Sequence, residues 1–488
     1  MSHRWIAPLA AATLAAACGG GGGGSPAAIA SPPPAPAPAP GPAPAPPPSS
    51  AATTPVIGAP APFADGLSGM QSASATTSNA ASVEFQIDDT PIATVAAAPY
   101  AAQFDADLLA NGQHVLRARA RDAAGQPTAW SVDTLRVASG RDIDAGFTKT
   151  EGWVSGLTRA TSLTQATDGR LFVTEQGGTL RVVKDGVLLD TPAVRLSVDS
   201  VDERGLLGVA LHPNFASNGW IYLYYTVLGE SASHNRISRF VLTGDVSDGS
   251  EKVIADLPDL LGDASHNGGA LHFGVDGKLY VGVGDNHTPA RAQNVSDPLG
   301  KMLRFNDDGS IPADNPFCQA PIPSCAVWAV GLRNPFTFAV QPGSGRILIN
   351  DVGESTWEEI DDGHAGANYG WPTFEGPTDA SGSTVAPIFA YAHQPTDPPG
   401  TGTGGFFTGI AIVGAGFYPD AGPFPAPYRG NYFFADFGRK WVARLDVANG
   451  NAAYAFASVG QNPVDLLVGA DGALYVLSQT SLTRITSP

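Results

Sequence analysis

The residue best placed to do chemistry in this chain is a histidine set among glycines. His266 stands in Ser265-His266-Asn267-Gly268-Gly269, directly ahead of the turn and strand pattern Asp276-Gly277-Lys278-Leu279-Tyr280-Val281. An imidazole can accept a proton near neutral pH, and the adjacent glycines let another backbone or a flat cofactor approach closely. The same residues suit a plainer role, in which His266 hydrogen-bonds a neighbouring blade. Cys318 and Cys325 lie close together in a proline-rich loop, as expected of a local disulfide in an oxidising compartment; no second cysteine pair or nearby histidine completes a zinc site. His234, ahead of an arginine-containing strand, reads as a blade hydrogen bond. No Gly-x-Ser-x-Gly turn, His-Glu-x-x-His helix or phosphate loop is present, which disfavours a serine hydrolase, a zinc protease or a nucleotide enzyme.

A base of this kind needs a scaffold, and 488 residues with 43% hydrophobic and 15% charged provide for several folded units. The net charge of -18, from 27 basic against 45 acidic residues and with no basic run, argues against nucleic acid or an anionic membrane surface as the main partner. Residues 1–18 read as a secretory signal: His3 and Arg4, an apolar run too short to span a bilayer, then small residues before Cys18. Leu14-Ala15-Ala16-Ala17-Cys18 resembles a bacterial lipoprotein box, with Ala where Leu is usual three places before the cysteine. That resemblance implies lipidation of Cys18 and membrane contact only through that anchor; ordinary secretion with cleavage nearby is the alternative. Either way the expected location is the cell envelope, periplasmic and lipid-anchored, or secreted.

Residues 19–54 are Gly, Pro, Ala and Ser with almost no large apolar side chain, a tether that cannot bury a core. Residues 55–140 alternate as strands around Val83–Ile87, Ala98–Ala101 and His114–Ala120. They predict a small β-sandwich that resembles the immunoglobulin-like modules of bacterial surface proteins. Residues 143–488 carry an imperfect repeat of turn and strand: Asp168-Gly169, Asp276-Gly277, Ser344-Gly345 and Asp471-Gly472, each followed by a buried run such as Leu171-Phe172-Val173. Many short strands with glycine-rich turns and no long amphipathic helix predict an all-β propeller, the arrangement that hides the edges of a large antiparallel fold.

Four stretches of the propeller region occur together in order: Glu203-Arg204-Gly205-Leu206-Leu207-Gly208-Val209-Ala210-Leu211-His212-Pro213, His266-Asn267-Gly268-Gly269, Gly331-Leu332-Arg333-Asn334-Pro335 and Gly366-Ala367-Asn368-Tyr369-Gly370-Trp371-Pro372. Over residues 150–485 the chain resembles the soluble glucose/sorbosone dehydrogenase family, which uses pyrroloquinoline quinone (PQQ) and calcium on a six-bladed propeller. The resemblance implies that His266 is the general base that takes a sugar hydroxyl proton while hydride passes to the quinone. It implies that Arg333 stabilises the oxyanion of the reduced quinone, although a strut between blades is its plainer role. Asn334 is implied as a cofactor contact, and the carbonyls of Gly353 and Glu354 as calcium ligands, unless the acidic run around them is solvated surface. Glu203 stands where the family places a substrate-facing polar residue, or else anchors its own loop.

The C-terminal part departs from the family. Where glucose-oxidising members place two arginines on the quinone's carboxylates, this chain has Gln461-Asn462-Pro463-Val464-Asp465-Leu466, with no base. Arg439 and Lys440 fall near the family's lysine position and are the cations left to bind the cofactor. The expected function is therefore a PQQ- and calcium-dependent oxidoreductase acting on a sugar or polyol, passing electrons to an acceptor of unknown identity. The alternatives are an envelope binding propeller for glycan or protein and, last, a calcium-dependent lactone hydrolase.

Overall fold

Among the described residues, five second strands of the propeller's sheets are buried end to end, and four of them are Leu171–Glu175, Leu279–Val283, Ile347–Asp351 and Leu474–Ser478. Each of these four follows one of the Asp-Gly or Ser-Gly turns, and each reads as a short continuous apolar run because neighbouring sheets cover both of its faces. The computed structural model describes residues 51–60, 66–229, 232–260, 263–318, 324–377, 382–394 and 407–488. The expected signal 1–18, its Cys18 and the tether up to residue 50 lie outside the described residues.

Six antiparallel sheets follow one another as blades among the described residues. Blade 1 is built on Ala160–Gln165 and Leu171–Glu175, blade 2 on Leu206–Leu211 to Val246–Asp259, and blade 3 on Leu271–Phe273 to Val327–Val330. Blade 4 runs from Pro335–Val340 to Phe389–Ala392 and blade 5 from Ile412–Phe417 to Ala452–Ser458. Blade 6 joins Pro463–Val468, Leu474–Ser478 and Ser481–Thr486 to an outer strand from the start of the propeller, Thr148–Ser155. This pairing, with Leu482 opposite Val154 and Thr486 opposite Thr148, closes the ring. Blades 2 and 5 lack the repeat's turn. Blade 2 crosses through a short helix, Phe215–Asn218, that ends on the left-handed Gly219, and blade 5 through residues 418–431.

The amino-terminal unit is a β-sandwich of two sheets. Val56–Ala59, Met70–Thr76 and Tyr100–Asp105 face Thr90–Val95, Ser82–Ile87, Gly112–Arg121 and Ser131–Val137. Val83, Phe85, Phe104, Leu116 and Leu135 fill the space between them. The sandwich docks on blade 5 through a small apolar contact of Val115 with Ala452 and Tyr454. Polar bonds surround it: Arg117 donates to Tyr454 Oη (2.7 Å), Arg444 to the carbonyl of Asp88 (3.2 Å), and Tyr428 Oη to Asp144 (2.8 Å). Cys318 and Cys325 form the expected disulfide, with Cα atoms 4.3 Å apart.

Candidate active site

His266 lies in the connection from blade 2 to the first strand of blade 3, in a left-handed conformation (φ 52°), and is 7% exposed. Its backbone N–H donates to Glu203 Oε2 at 2.7 Å, and its carbonyl accepts from Asn286. Gly268 (φ 63°) follows, where a Cβ would come within 2.6 Å of the carbonyl of Gly282. Only glycine lets the histidine loop lie this close to the strand beside it. The imidazole Nδ1 bonds Asp285 Oδ1 at 2.8 Å, and the other oxygen of Asp285 accepts from Trp371 Nε1 at 2.8 Å. Because the carboxylate accepts at Nδ1, the neutral ring keeps its lone pair on Nε2. A buried His held this way is equipped to take a proton at one defined atom.

Arg333 and Asn334 enter from the turn before blade 4. Their backbone N–H groups both donate to the buried carboxylate of Asp351, at 2.8 and 2.7 Å. Burial pushes the Asp351 carboxyl up to about 7, against the pull of those two N–H groups. The Arg333 guanidinium donates through Nη1 to the carbonyl of Val352 (3.0 Å) and lies over the Trp371 ring (5.5 Å). Its Nε is buried and has no partner. Asn334 Oδ1 accepts from Gly268 N at 3.0 Å, which ties the arginine turn to the histidine loop.

Of these residues Glu203, Asn334 and Val352 line a cavity of about 240 Å3, whereas His266 and Arg333 are not part of its lining and are tied to it through Glu203 and Asn334. Its lining combines the apolar Leu207, Phe336, Val413, Phe437 and Val464 with the polar Arg159, Gln176, Asp202, Glu203 and Asn334. Glu203 lines the cavity and accepts from the His266 N–H, so it anchors the histidine loop and not its own. Arg439 and Lys440 occupy the turn after Tyr432–Asp436, where their backbone N–H groups bond Asp436, and only their neighbour Phe437 lines the cavity. Asp465, where the family's cationic clamp is absent, is half-buried and accepts from Ser162 Oγ and Leu163 N; loss of water around its carboxyl raises it to about 7.

The loop with Gly353 and Glu354 is organised by Glu375, whose Oε1 accepts from the N–H groups of Glu354 at 2.8 Å and of Ser355, Thr356 and Trp357 at longer range. The acidic run around it is mostly interior: Asp351, Glu358 and Glu359 are buried and only Glu354 is exposed. Burial raises Glu359 and Asp361, with further repulsion from Asp351 on both and from Glu359 on Asp361, and neither oxygen of Asp361 has a partner. Among the described residues no three His, Cys, Asp or Glu side chains are arranged to hold a metal ion. His234 makes the expected blade contact, its Nε2 lying 3.1 Å from Asp256.

Sequence reading missed Asp285, Asp351, Arg159, Gln176 and the use of the Trp371 indole. Asp285 had a readable signal. The hairpin pairs Leu271 with Val281, and extending that register five residues sets 266 beside 286.

The sequence and the fold match known proteins. Residues 157–487 match the glucose/sorbosone dehydrogenase family and residues 70–118 a bacterial Ig domain. The chain belongs to the glucose/sorbosone dehydrogenase family. It is 30% identical over 335 residues to aldose sugar dehydrogenase YliI of Escherichia coli, covering 64% of this chain and 84% of that protein. It is 30% identical over 269 residues to quinoprotein glucose dehydrogenase B of Acinetobacter calcoaceticus, covering 49% of this chain and 56% of that protein. The apo crystal structure of soluble aldose sugar dehydrogenase from Escherichia coli superposes with a TM-score of 0.61 at 26% identity, over 70% of this chain and all of that one. The architecture is thus that of the sugar dehydrogenase propellers, with an Ig-like module ahead of it.

Proposed function

We propose that this protein is a PQQ- and calcium-dependent oxidoreductase that oxidises a hydroxyl of a sugar or polyol, with His266 as the general base. The observation that carries the reading is that His266, held by Asp285, and Arg333, whose buried Nε lacks a partner, sit on loops tied to one cavity's wall by Glu203 and Asn334. A buried guanidinium N–H left unpaired is costly, and an acceptor on a ligand bound beside it would relieve that cost. The cavity's apolar side chains suit a flat ring and Arg159, Gln176 and Asn334 suit polar groups at its edge, while Asp202 and Glu203 in the same lining leave no surplus of positive charge for the cofactor's carboxylates.

When bound, pyrroloquinoline quinone supplies a carbonyl carbon able to accept hydride. The chain's own part is positional and electrostatic. Arg333 and Asn334 hold the cofactor, the arginine through Nε toward an oxygen that gains charge on reduction. Arg159 supplies a cation at the rim where the family's paired arginines are missing. His266 Nε2 takes the hydroxyl proton, and Asp285 fixes the tautomer and offsets the charge that arrives. The carbonyls of Gly353 and Glu354, in the loop that Glu375 holds, are the calcium ligands of this reading. The Ig-like module and the Cys318–Cys325 disulfide support a place outside the cytoplasm, in the cell envelope or secreted.

The decisive experiment titrates metal-free protein with the quinone plus calcium, then adds sugars and an electron-accepting dye. Binding at micromolar cofactor and sugar-dependent dye reduction are expected, with His266→Ala lowering turnover by roughly 10^2 to 10^4-fold. No binding would sink the redox reading. It would favour instead a binding propeller for glycan or protein, a reading supported by the missing base in 461–466 and by Asp465 turning into the blade contact.

A further inference from the structure

A second histidine stands against the proposed base. The rings of His266 and His287 have centroids 4.8 Å apart and planes 31° from parallel. His287 has its own carboxylate: its Nδ1 bonds Asp263, as the Nδ1 of His266 bonds Asp285. The two dyads are joined, because Asp285 Oδ1 also accepts the backbone N–H of His287 at 2.8 Å. They differ in exposure. The His266 side chain is 9% exposed and that of His287 is 48% exposed.

The backbone at His287 is unusual. Asn286 and His287 both have φ of 52°, a left-handed conformation that costs a residue with a Cβ about 1 kcal/mol. A histidine kept where glycine would be easier invites a functional account. Ser265, whose side chain and N–H donate to Asp263, and then His287 itself, hold that carboxyl well below the usual carboxylate range. Asp263 is thus an anion under the outer ring, as Asp285 lies under the inner one.

The redox reading leaves a step without a carrier. Each turnover delivers one proton to His266 Nε2, while Nδ1 stays engaged with Asp285 and the substrate occupies the cavity side. The proton must leave before the next cycle. We propose that His287 is a proton-relay residue, taking the proton released by His266 and passing it to solvent. The inference rests on the redox function proposed above. The balance is simple: the substrate C–H goes to the quinone as hydride, the O–H proton goes to His266, and the same proton passes through a water to His287 Nε2 and then to bulk. Two neighbouring imidazolium ions repel, so protonation of one ring promotes release from the other. The charged groups facing the pair are Glu203 and Asp285 at His266, Asp263 at His287, Arg333 beyond Trp371, and Arg204, which reaches the Asp263 carbonyl at 3.5 Å.

The first test needs neither cofactor nor activity. Ring 15N signals of histidine-labelled protein, assigned with His266→Gln and His287→Gly, are followed against pH. The relay predicts mutually dependent curves for His266 and His287 and a single-step curve for His266 in H287G, where glycine suits the backbone. Independent curves in the wild type overturn the relay whether or not quinone binds. The second test uses the loaded enzyme at low buffer concentration. H287G and H287Q are expected to lose about tenfold in kcat, with KM and quinone binding unchanged, a distorted pH profile, and recovery when imidazole is added at fixed pH. Wild-type rates in both variants, or a raised KM without rescue, overturn the relay. Coupled curves in a wild type that binds no quinone overturn the redox function itself, and with it the proton that the relay would carry.

Discussion

Two buried His–Asp pairs in this protein share one motif and differ in what is left over. At the cavity, His266 spends Nδ1 on Asp285 and keeps Nε2. At the junction of the Ig-like module with blade 5, His114 spends both nitrogens, Nδ1 on Asp88 and Nε2 on the carbonyl of Ala110 at 2.8 Å. Burial alone would pull the His114 ring down, yet Asp88, helped by Asp144, raises it to about 9. A ring with an acceptor on each side is a cation in a structural cross-link. A ring with one nitrogen uncommitted can do chemistry, so the second nitrogen separates the two roles better than the carboxylate does.

The sharpest way to break this contrast is Asp285→Asn. The ring should lose its fixed tautomer, and sugar-dependent dye reduction should fall by about 10^2 to 10^3-fold, with a lower melting temperature as well, since the amide cannot accept on both sides from His266 and Trp371. Next comes Asp88→Asn, which strands a buried ring. It should cost about 3 kcal/mol in denaturant unfolding while the folded fraction keeps its kcat; an equal loss of kcat would show that the junction and the cavity are not separable.

The pH dependence gives a third handle. His114 is raised in the folded state from about 6.5 to about 9, so its contribution is fully present below about 6.5 and lost as pH rises through about 9. Wild-type stability should therefore fall between pH 6 and pH 10 by roughly 3 kcal/mol more than in His114→Gln. The smallest effect belongs to an exposed pair of the same kind, His234 with Asp256, nearly half exposed at the carboxylate. His234→Ala should change stability by less than about 0.5 kcal/mol, and a larger change would mean that exposure does not grade these pairs.

Much of the inner wall was legible in the sequence because local chemistry produces it. The turns at Asp168, Asp276, Ser344 and Asp471 each open a buried strand, and of Gly331-Leu332-Arg333-Asn334 the asparagine lines the cavity. Blades 2 and 5 were not marked by that repeat, since their crossings use a helix and a long connection in place of a tight turn. Arg159 was hidden for a different reason. It reaches the cavity only because ring closure brings the start of blade 1 beside blade 6, a contact between residues some three hundred positions apart. The junction network was equally opaque, as Arg117 and Tyr454 meet only once both units have folded.

The seam where Thr148–Ser155 joins Ser481–Thr486 also sets the order of events during synthesis. Five blades can be complete while the sixth still lacks two central strands, and the waiting outer strand then presents unpaired N–H and C=O groups. A chain interrupted before Ser481 would keep most of its mass yet remain an open arc. Such a product should be lost to aggregation or proteolysis, even though the histidine, arginine and asparagine at the cavity had all been made.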